Sequence, residues 1–488
     1  MSGQKAEIYY YDIGDYLSRE EKLKVIDEFG SMEKLPFIRL IPNEHGDWIS
    51  KRNDKFGNWI PIEAEKKGDV KSQSWFTTYS LGCATNRDVW VYNYSIQKLS
   101  SNVDKTINHY NDQRIKLEKG LINEIEKNAT LGNWTRDWLN AIQRNRPFSK
   151  KDDLFTLSNY RPYCKQNYYF DDDLNQERYK QPELFPTSQT KNLLICVTGI
   201  GSTKLFSTLI SDKIPCLDYV EKSQCFPLYW YETIKPNQKS LFEDDDAQIV
   251  RHEAISDFIL ERAQSKYGNK VQKEDIFYYV YGILHSKSYR ETFEADLKKM
   301  LPRIPLVSDY QKFWDFSKAG RELANLHLNY EKIAAYPSVK VESLKMVHYE
   351  SPKTMYDIDD GTPMAAETAR KHSSSKDDDY EYYAVQQMKF PKKGQRDTII
   401  YNHYHTIKNI PEKAYEYIVN GKSAIEWIME RYAVTTDKKS GITNNPNDWA
   451  LEHEQPRYIF DLLLSVINVS VQSVDIVNNL PEVDWDKE

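Results

Sequence analysis

The chain has 488 residues, 40% hydrophobic and 28% charged, within the range of ordinary globular proteins, and its length suits roughly two to four domains. A net charge of −7 excludes an even basic coat that wraps nucleic acid non-specifically, because such binding comes from phosphate neutralisation by many Lys and Arg side chains. Any contact with nucleic acid must therefore be local.

No run of about eighteen apolar residues occurs, and Met1–Tyr10 has no basic segment leading into an apolar one, so the reading is a cytoplasmic protein with no membrane partner. The five cysteines Cys83, Cys164, Cys196, Cys216 and Cys225 form no C-x-x-C pair, and an odd set indicates neither a zinc ribbon nor a disulfide framework. The 35 tyrosines offer flat apolar bodies with polar tips suited to an interface; β propensity equally accounts for them as cover for strands.

Glu7–Ile13 reads as a strand, and Ser18-x-x-Glu21 is a capping box opening a helix with Leu23, Ile26 and Phe29 on one face. Residues 42–61 are turn-rich and aromatic. A short aromatic strand is expected over Trp90–Tyr94, then a polar helical tract over Gln97–Lys127, with a boundary at the charged Arg146–Asp153 run. Asn192–Thr198 predicts a buried strand, His252–Gln264 a helix, and Asp275–Leu284 reads as either a strand or a buried helix start. Ser288-x-x-Glu291 predicts the cap of a helix bearing Phe293, Leu297 and Met300, stopped at Pro302. Between Val339 and Tyr404 short strands alternate with polar runs, and the Ser- and Asp-rich stretch His372–Asp379 reads as a mobile loop. Ser423-x-x-Glu426 caps another helix, and a long apolar helix is expected from about Pro456 to Leu480.

Motifs with chemistry are sparse. An Asp/Asn-Pro-Pro-aromatic loop for receiving a flipped base is absent. Thr198-Gly-Ile-Gly-Ser-Thr-Lys204 follows a strand as a nucleotide-binding turn would, but lacks the P-loop frame and an obvious acidic partner about twenty residues on. It reads instead as a tight turn, or as a small nest whose backbone N–H groups and Lys204 meet a phosphate. His403 and His405 lack further ligands at metal-binding spacing, and Glu243 with Asp244, Asp245 and Asp246 reads as a solvated loop, so no metal site is expected.

Several ordered strings together carry a family resemblance. IYYYDIGDYLSREEKL (8–23), PNEHGDWI (42–49) and TNRDVWVYNYS (85–95) resemble the end of the methyltransferase module of Type ISP restriction-modification enzymes. NYRPYCKQNYYFD (159–171), QCFPLYWY (224–231), YVYGILHSKSYRETFEADLKKMLPRIP (279–305), GRELANLHLNYE (320–331) and AIEWIMERYAVTTDKKSGITNNPNDW (424–449) resemble that family's target-recognition domain. The resemblance implies a mixed α/β and α+β fold: a partial methyltransferase-like sheet over 1–95, a helical connector over 96–150, an α/β recognition part over 151–345, and a strand-rich then helical part over 346–488.

It further implies sequence-specific binding of double-stranded DNA in a phage-defence system. The nuclease, the ATP- and Mg-dependent helicase motor and the adenine methyltransferase using S-adenosylmethionine would lie upstream, in cis or in trans. This chain would hold no cofactor and no catalytic residue. Two rival readings are a divergent methyltransferase using Gly199–Lys204, and an interaction remnant that never touches DNA. An incomplete first sheet would leave an edge that invites association.

Bases are read by side chains that match their edges, with phosphate anchors beside them. Tyr160, Arg161, Lys165, Gln166 and Asn167 combine donors and aromatic supports in one span, or form a structural hinge. Lys287, Tyr289 and Arg290 open a helix whose N-terminus favours a phosphate, or simply cap it. Asn86 and Arg87 either face DNA or pin the sheet to the connector.

Overall fold

In the computed structural model, residues 6–14, 17–49, 51–63, 73–234, 248–345 and 375–488 are described. The Ser18 capping box forms as expected: the Ser18 N–H donates to the Glu21 carboxylate at 2.7 Å, and the helix Arg19–Phe29 closes at Gly30 with φ 66°. Capped by Ser95, the polar tract becomes the helix Ile96–Glu118. Ser423 and Glu426 cap Ala424–Arg431, and the apolar C-terminal helix runs Tyr458–Asn478.

Other expectations are corrected. Trp90–Tyr94 is not one strand but a helical turn, Asp88–Val91, followed by the strand Tyr92–Asn93. Trp90, Val91 and Tyr92 are all buried, and a strand with one solvent face cannot bury three successive side chains. Of the two readings open for Asp275–Leu284 the helical one holds: Asp275–Ile283 lie in the helix Lys273–Ile283, with Leu284 as its C-cap, and the burial of all of Ile276–Ile283 except the half-buried Tyr278 is why no 3.6-residue period shows in the sequence. The helix expected from Ser288 is instead capped by Ser286, whose hydroxyl accepts from the Tyr289 N–H at 3.3 Å. Ser288 is occupied by the Trp485 indole N–H at 3.0 Å, and the run breaks at Phe293, which packs on Phe56 and Trp59, before a second short helix, Glu294–Leu297. Of the Ser- and Asp-rich stretch, His372–Ser374 lie outside the described residues, whereas Ser375 opens a helix reaching Tyr383.

The fold is mixed α/β, as expected. One four-stranded sheet is ordered Ile214–Pro215, Phe155–Arg161, Cys164–Tyr169, Tyr92–Asn93; a second is ordered Ser80–Leu81, Gln224–Pro227, Leu194–Val197, Thr208–Ser211. Strand pairing thus joins segments far apart in sequence. Among the described residues up to 95, only Ile8–Tyr10 and Ile38–Leu40 pair with each other, and Ile60–Pro61 pairs with Arg303–Ile304. The helix Tyr458–Asn478 is long and apolar enough to cross a membrane, yet 67% of its apolar window is buried inside this fold.

Two apolar clusters meet along a polar seam. His327 lies between Tyr281 Oη at 2.7 Å and Ser473 Oγ at 3.0 Å, and His285 lies between the Tyr281 carbonyl at 2.8 Å and Tyr417 Oη at 2.9 Å. The seam ties Lys273–Ile283 to Tyr310–Leu328 and Tyr458–Asn478. The first two helices touch backbone to backbone, since a Cβ on Gly320 would collide with the Tyr278 carbonyl and one on Gly282 with that of Phe316. Gly320→Ala should therefore cost about 2–3 kcal/mol, read as a lower thermal midpoint with an unaltered unfolded baseline.

Burial, with Arg290 nearby, lowers the His327 pKa to about 3 and that of His285 well below 6.5. Both rings are neutral when folded, whereas the unfolded chain takes up their protons below about 6.5. Stability should hold above that pH and fall below it, by roughly 1.4 kcal/mol per pH unit per histidine once well below it. Melting at pH 7.5, 6 and 5 checks this, and His327→Gln should flatten the profile.

Candidate nucleic-acid interface

The hairpin Phe155–Arg161/Cys164–Tyr169 turns at Tyr163 (φ 56°) and carries five of the expected DNA-facing residues, but the fold consumes most of them. The Arg161 guanidinium lies 4.0 Å from the Tyr160 ring and 3.3 Å from Asp88, which also accepts the Tyr160 hydroxyl at 3.0 Å. Lys165 pairs with Glu331 at 2.7 Å over the Tyr330 ring, and Asn167 donates to the Tyr94 carbonyl at 2.8 Å. These contacts tie the four side chains to neighbouring elements of the fold. Gln166 is buried, yet its amide lines a cleft.

The remaining expected residues divide the same way. Arg87 is a correction: its side chain is 0% exposed, pairs with Asp137 at 3.0 Å, donates to the Asn133 carbonyl at 3.0 Å and stacks on Trp138 at 4.3 Å, so it pins the Arg136–Gln143 helix. Asn86 is exposed with φ 53°, its amide 3.3 Å from Gln176. Tyr289 is buried and donates to the Arg303 carbonyl at 2.8 Å; Arg290 donates to the Leu284 carbonyl at 2.6 Å, and burial lowers its pKa. Lys287 is exposed and reaches Asn478 at 2.7 Å. Its helix, Lys287–Thr292, spans six residues, and the Ser286 hydroxyl already accepts the Tyr289 N–H of its first turn.

The turn Gly199–Lys204 is an anion nest, but an occupied one. The N–H groups of Thr203 and Lys204 and the hydroxyls of Ser202 and Thr203 all converge on the Glu221 carboxylate, at 3.0 Å for the Lys204 N–H. These donors hold Glu221 below the usual carboxylate range despite its partial burial. Glu221, twenty residues beyond Gly201, corrects the expectation that no acidic partner stands at that spacing; it fills the nest itself and so takes the donors that a phosphate would use. The Lys204 side chain, by contrast, stays exposed and lies against Gly421.

Lys204 begins a strip that the sequence reading missed beyond its first residue. Asn420 and Gly421, both at positive φ, turn the hairpin Ile418–Val419/Lys422–Ser423, and Asn420 is bonded to Ser207 and Glu221. Lys422 and Arg431 flank the Trp427 ring at 4.9 and 5.5 Å, with Glu430 paired to both. The Arg431 carbonyl accepts the Tyr94 hydroxyl at 3.0 Å, and beyond it a cleft of about 270 Å³ is lined by Asp88, Tyr160, Gln166, Arg431, Thr435 and Asn444. Thr435–Thr436 pairs with Thr443–Asn444 in a hairpin at this cleft, and its polar turn Asp437–Gly441 between threonines is the sequence signal that could have found it.

His405 is bonded to Ser343 at 2.8 Å and stacked on Tyr383, and His403 lies over Tyr404. Among the described residues no group of three His, Cys, Asp or Glu side chains is placed to hold a metal, and residues 243–246 lie outside them.

This is a mixed α/β fold in which Lys204, Lys422 and Arg431 lie near one another at the surface. Residues 74–462 match the Type ISP C-terminal specificity domain, and the chain belongs to that family. It is similar over 98% of its length, with 34% identity, to the Type ISP restriction-modification enzyme LlaBIII bound to DNA (TM-score 0.80) and to a nuclease-deletion mutant of the Type ISP enzyme LlaGI in complex with a DNA substrate mimic (TM-score 0.77). It is similar over 97%, with 26% identity, to the DrdV–DNA complex (TM-score 0.75). The chain spans 28%, 33% and 43% of the lengths of those LlaBIII, LlaGI and DrdV chains, respectively. No curated protein matches it.

Replacing Glu221 by Ala should lower stability by about 1 kcal/mol and leave the nest able to take an anion. Added phosphate should then raise the melting temperature of the variant but not of the wild type.

Proposed function

We propose that the chain recognises a short DNA sequence as the specificity part of a Type ISP-like restriction-modification system. The observation that carries this reading is the match of 74–462 to a specificity domain. Net charge is negative, and many basic groups are paired internally; Lys204 is exposed, and Lys422 and Arg431, partly exposed and paired with Glu430, stand on the adjoining hairpin and helix, where a phosphate backbone can reach them. The DNA held by LlaGI, LlaBIII and DrdV supports a duplex as the ligand.

Target adenine would be presented to a methyltransferase supplied by further polypeptide, in cis or in trans, together with the helicase and nuclease. The N-terminal segment supports such a neighbour. The helix Arg19–Phe29 has no buried residue, and Tyr9, Leu23, Ile26, Ile38, Ile41 and Trp48 are all exposed, an apolar surface that an interface would cover. S-adenosylmethionine, ATP and Mg belong, in this reading, to that other portion. The Glu221-filled nest weighs against the rival methyltransferase reading, and calorimetric titration with S-adenosylmethionine should give no heat.

Binding to the preferred duplex should weaken steeply with salt, and Lys204→Ala, Lys422→Ala and Arg431→Ala should each reduce the slope of log K against log salt by about 0.9. Fluorescence anisotropy across ionic strength measures this. A panel of duplexes with no preferred sequence at any salt concentration would overturn the assignment.

A further inference from the structure

Resting on that reading, we infer that the hairpin Thr435–Thr436/Thr443–Asn444 is the element that enters the major groove and determines which bases are recognised. Its shape is fixed without a ligand. Thr435 pairs with Asn444 and Thr436 with Thr443, whose hydroxyls are 2.8 Å apart, and the Asp437 N–H donates to the Ile442 carbonyl at 2.9 Å. The Asp437 carboxylate accepts the Ser440 N–H and hydroxyl, each at 2.7 Å, and the Lys439 N–H at 3.2 Å, while Gly441 takes φ 73° to close the turn.

The base of the hairpin is clamped to the sheet by amides. Asn444 accepts from the Tyr94 N–H at 3.0 Å and donates to Gln166 at 3.0 Å, and Asn93 donates to the Thr443 carbonyl at 3.4 Å. Anchored at one end and ordered at the other, the ribbon pays little to be positioned.

The outward chemistry suits base edges and phosphates. Thr435, Thr436, Lys438 and Lys439 are exposed, and neither lysine is in an ion pair among the described residues. A threonine hydroxyl donates or accepts, and its methyl suits the thymine methyl group. Two strands about 4.8 Å apart fit the major groove, about 12 Å wide, and not the minor groove, about 6 Å wide. A longer two-stranded ribbon, Tyr229–Ile234/Gln248–Glu253, exposes Thr233, Gln248 and Arg251 but sets them among Glu232 and Glu253, which repel phosphate, and the apolar Ile234 and Ile249. Arg431, paired with Glu430, lines the same cleft as Thr435 and Thr436, so the strip reaches the hairpin's flank.

Selection of bound duplexes from a randomised pool, with the full chain, tests this. Thr435→Val and Thr436→Val keep strand shape and remove a hydroxyl; each should change the selected base at one or two adjacent positions, with a roughly 5- to 150-fold loss on the wild-type site. Thr435→Ser and Thr436→Ser should keep the wild-type motif. Lys438→Ala and Lys439→Ala should weaken all duplexes alike and lower the salt slope by about 0.9 each. If the wild type selects a motif and the valine variants select the same one, or lose affinity evenly without changing it, the hairpin is not the reader. If the wild type selects no motif, the recognition assignment itself falls and the hairpin's role with it.

Discussion

Everything that faces outward depends on a seam inside. Two apolar clusters, one around the Tyr458–Asn478 helix and one around Lys273–Ile283, meet where His285 and His327 bond to Tyr281, Tyr417 and Ser473. Hydrogen bonds have direction where apolar contacts do not, so these rings fix how the clusters are placed against each other. Tyr417 sits just before the Ile418–Ser423 hairpin, whose turn is bonded to Ser207 and Glu221. The seam thereby sets where Lys422, Trp427 and Arg431 stand relative to the Gly199–Lys204 turn.

A second constraint is how the chain spends its charges. Arg87, Arg161 and Lys165 look in one dimension like groups waiting for a phosphate, yet each is packed on an aromatic ring and faces a carboxylate. Removing one such carboxylate would leave a desolvated cation, so these pairs are structural commitments. The nest follows the same rule: its donors are satisfied by Glu221 and not by a ligand. What such commitments leave for an external anion are exposed cations such as Lys204, Lys438 and Lys439, and in a protein of net charge −7 contact with DNA has to be local.

Where a signal was local, the sequence carried it. Ser18 with Glu21 and Ser423 with Glu426 defined helix starts, the apolar run at Leu194–Val197 defined a central strand, and ordered strings from 159 to 449 carried the resemblance to the Type ISP specificity domain. The failures have a common cause. At Ser288 a good capping pattern lost to Ser286 because Trp485, nearly two hundred residues away, uses the Ser288 hydroxyl.

The sequence by itself determined the mixed α/β class, the caps, the absence of the familiar cofactor and base-flipping motifs, and the family to which the chain belongs, because each is written in residues close together or in an ordered series. Only the tertiary structure decided which basic residues are free. Whether Arg87 meets Asp137 or Lys165 meets Glu331 depends on chain crossings that no spacing encodes. The same crossings bring Gln166 to Asn444 and so erect the Thr435–Asn444 hairpin at the surface.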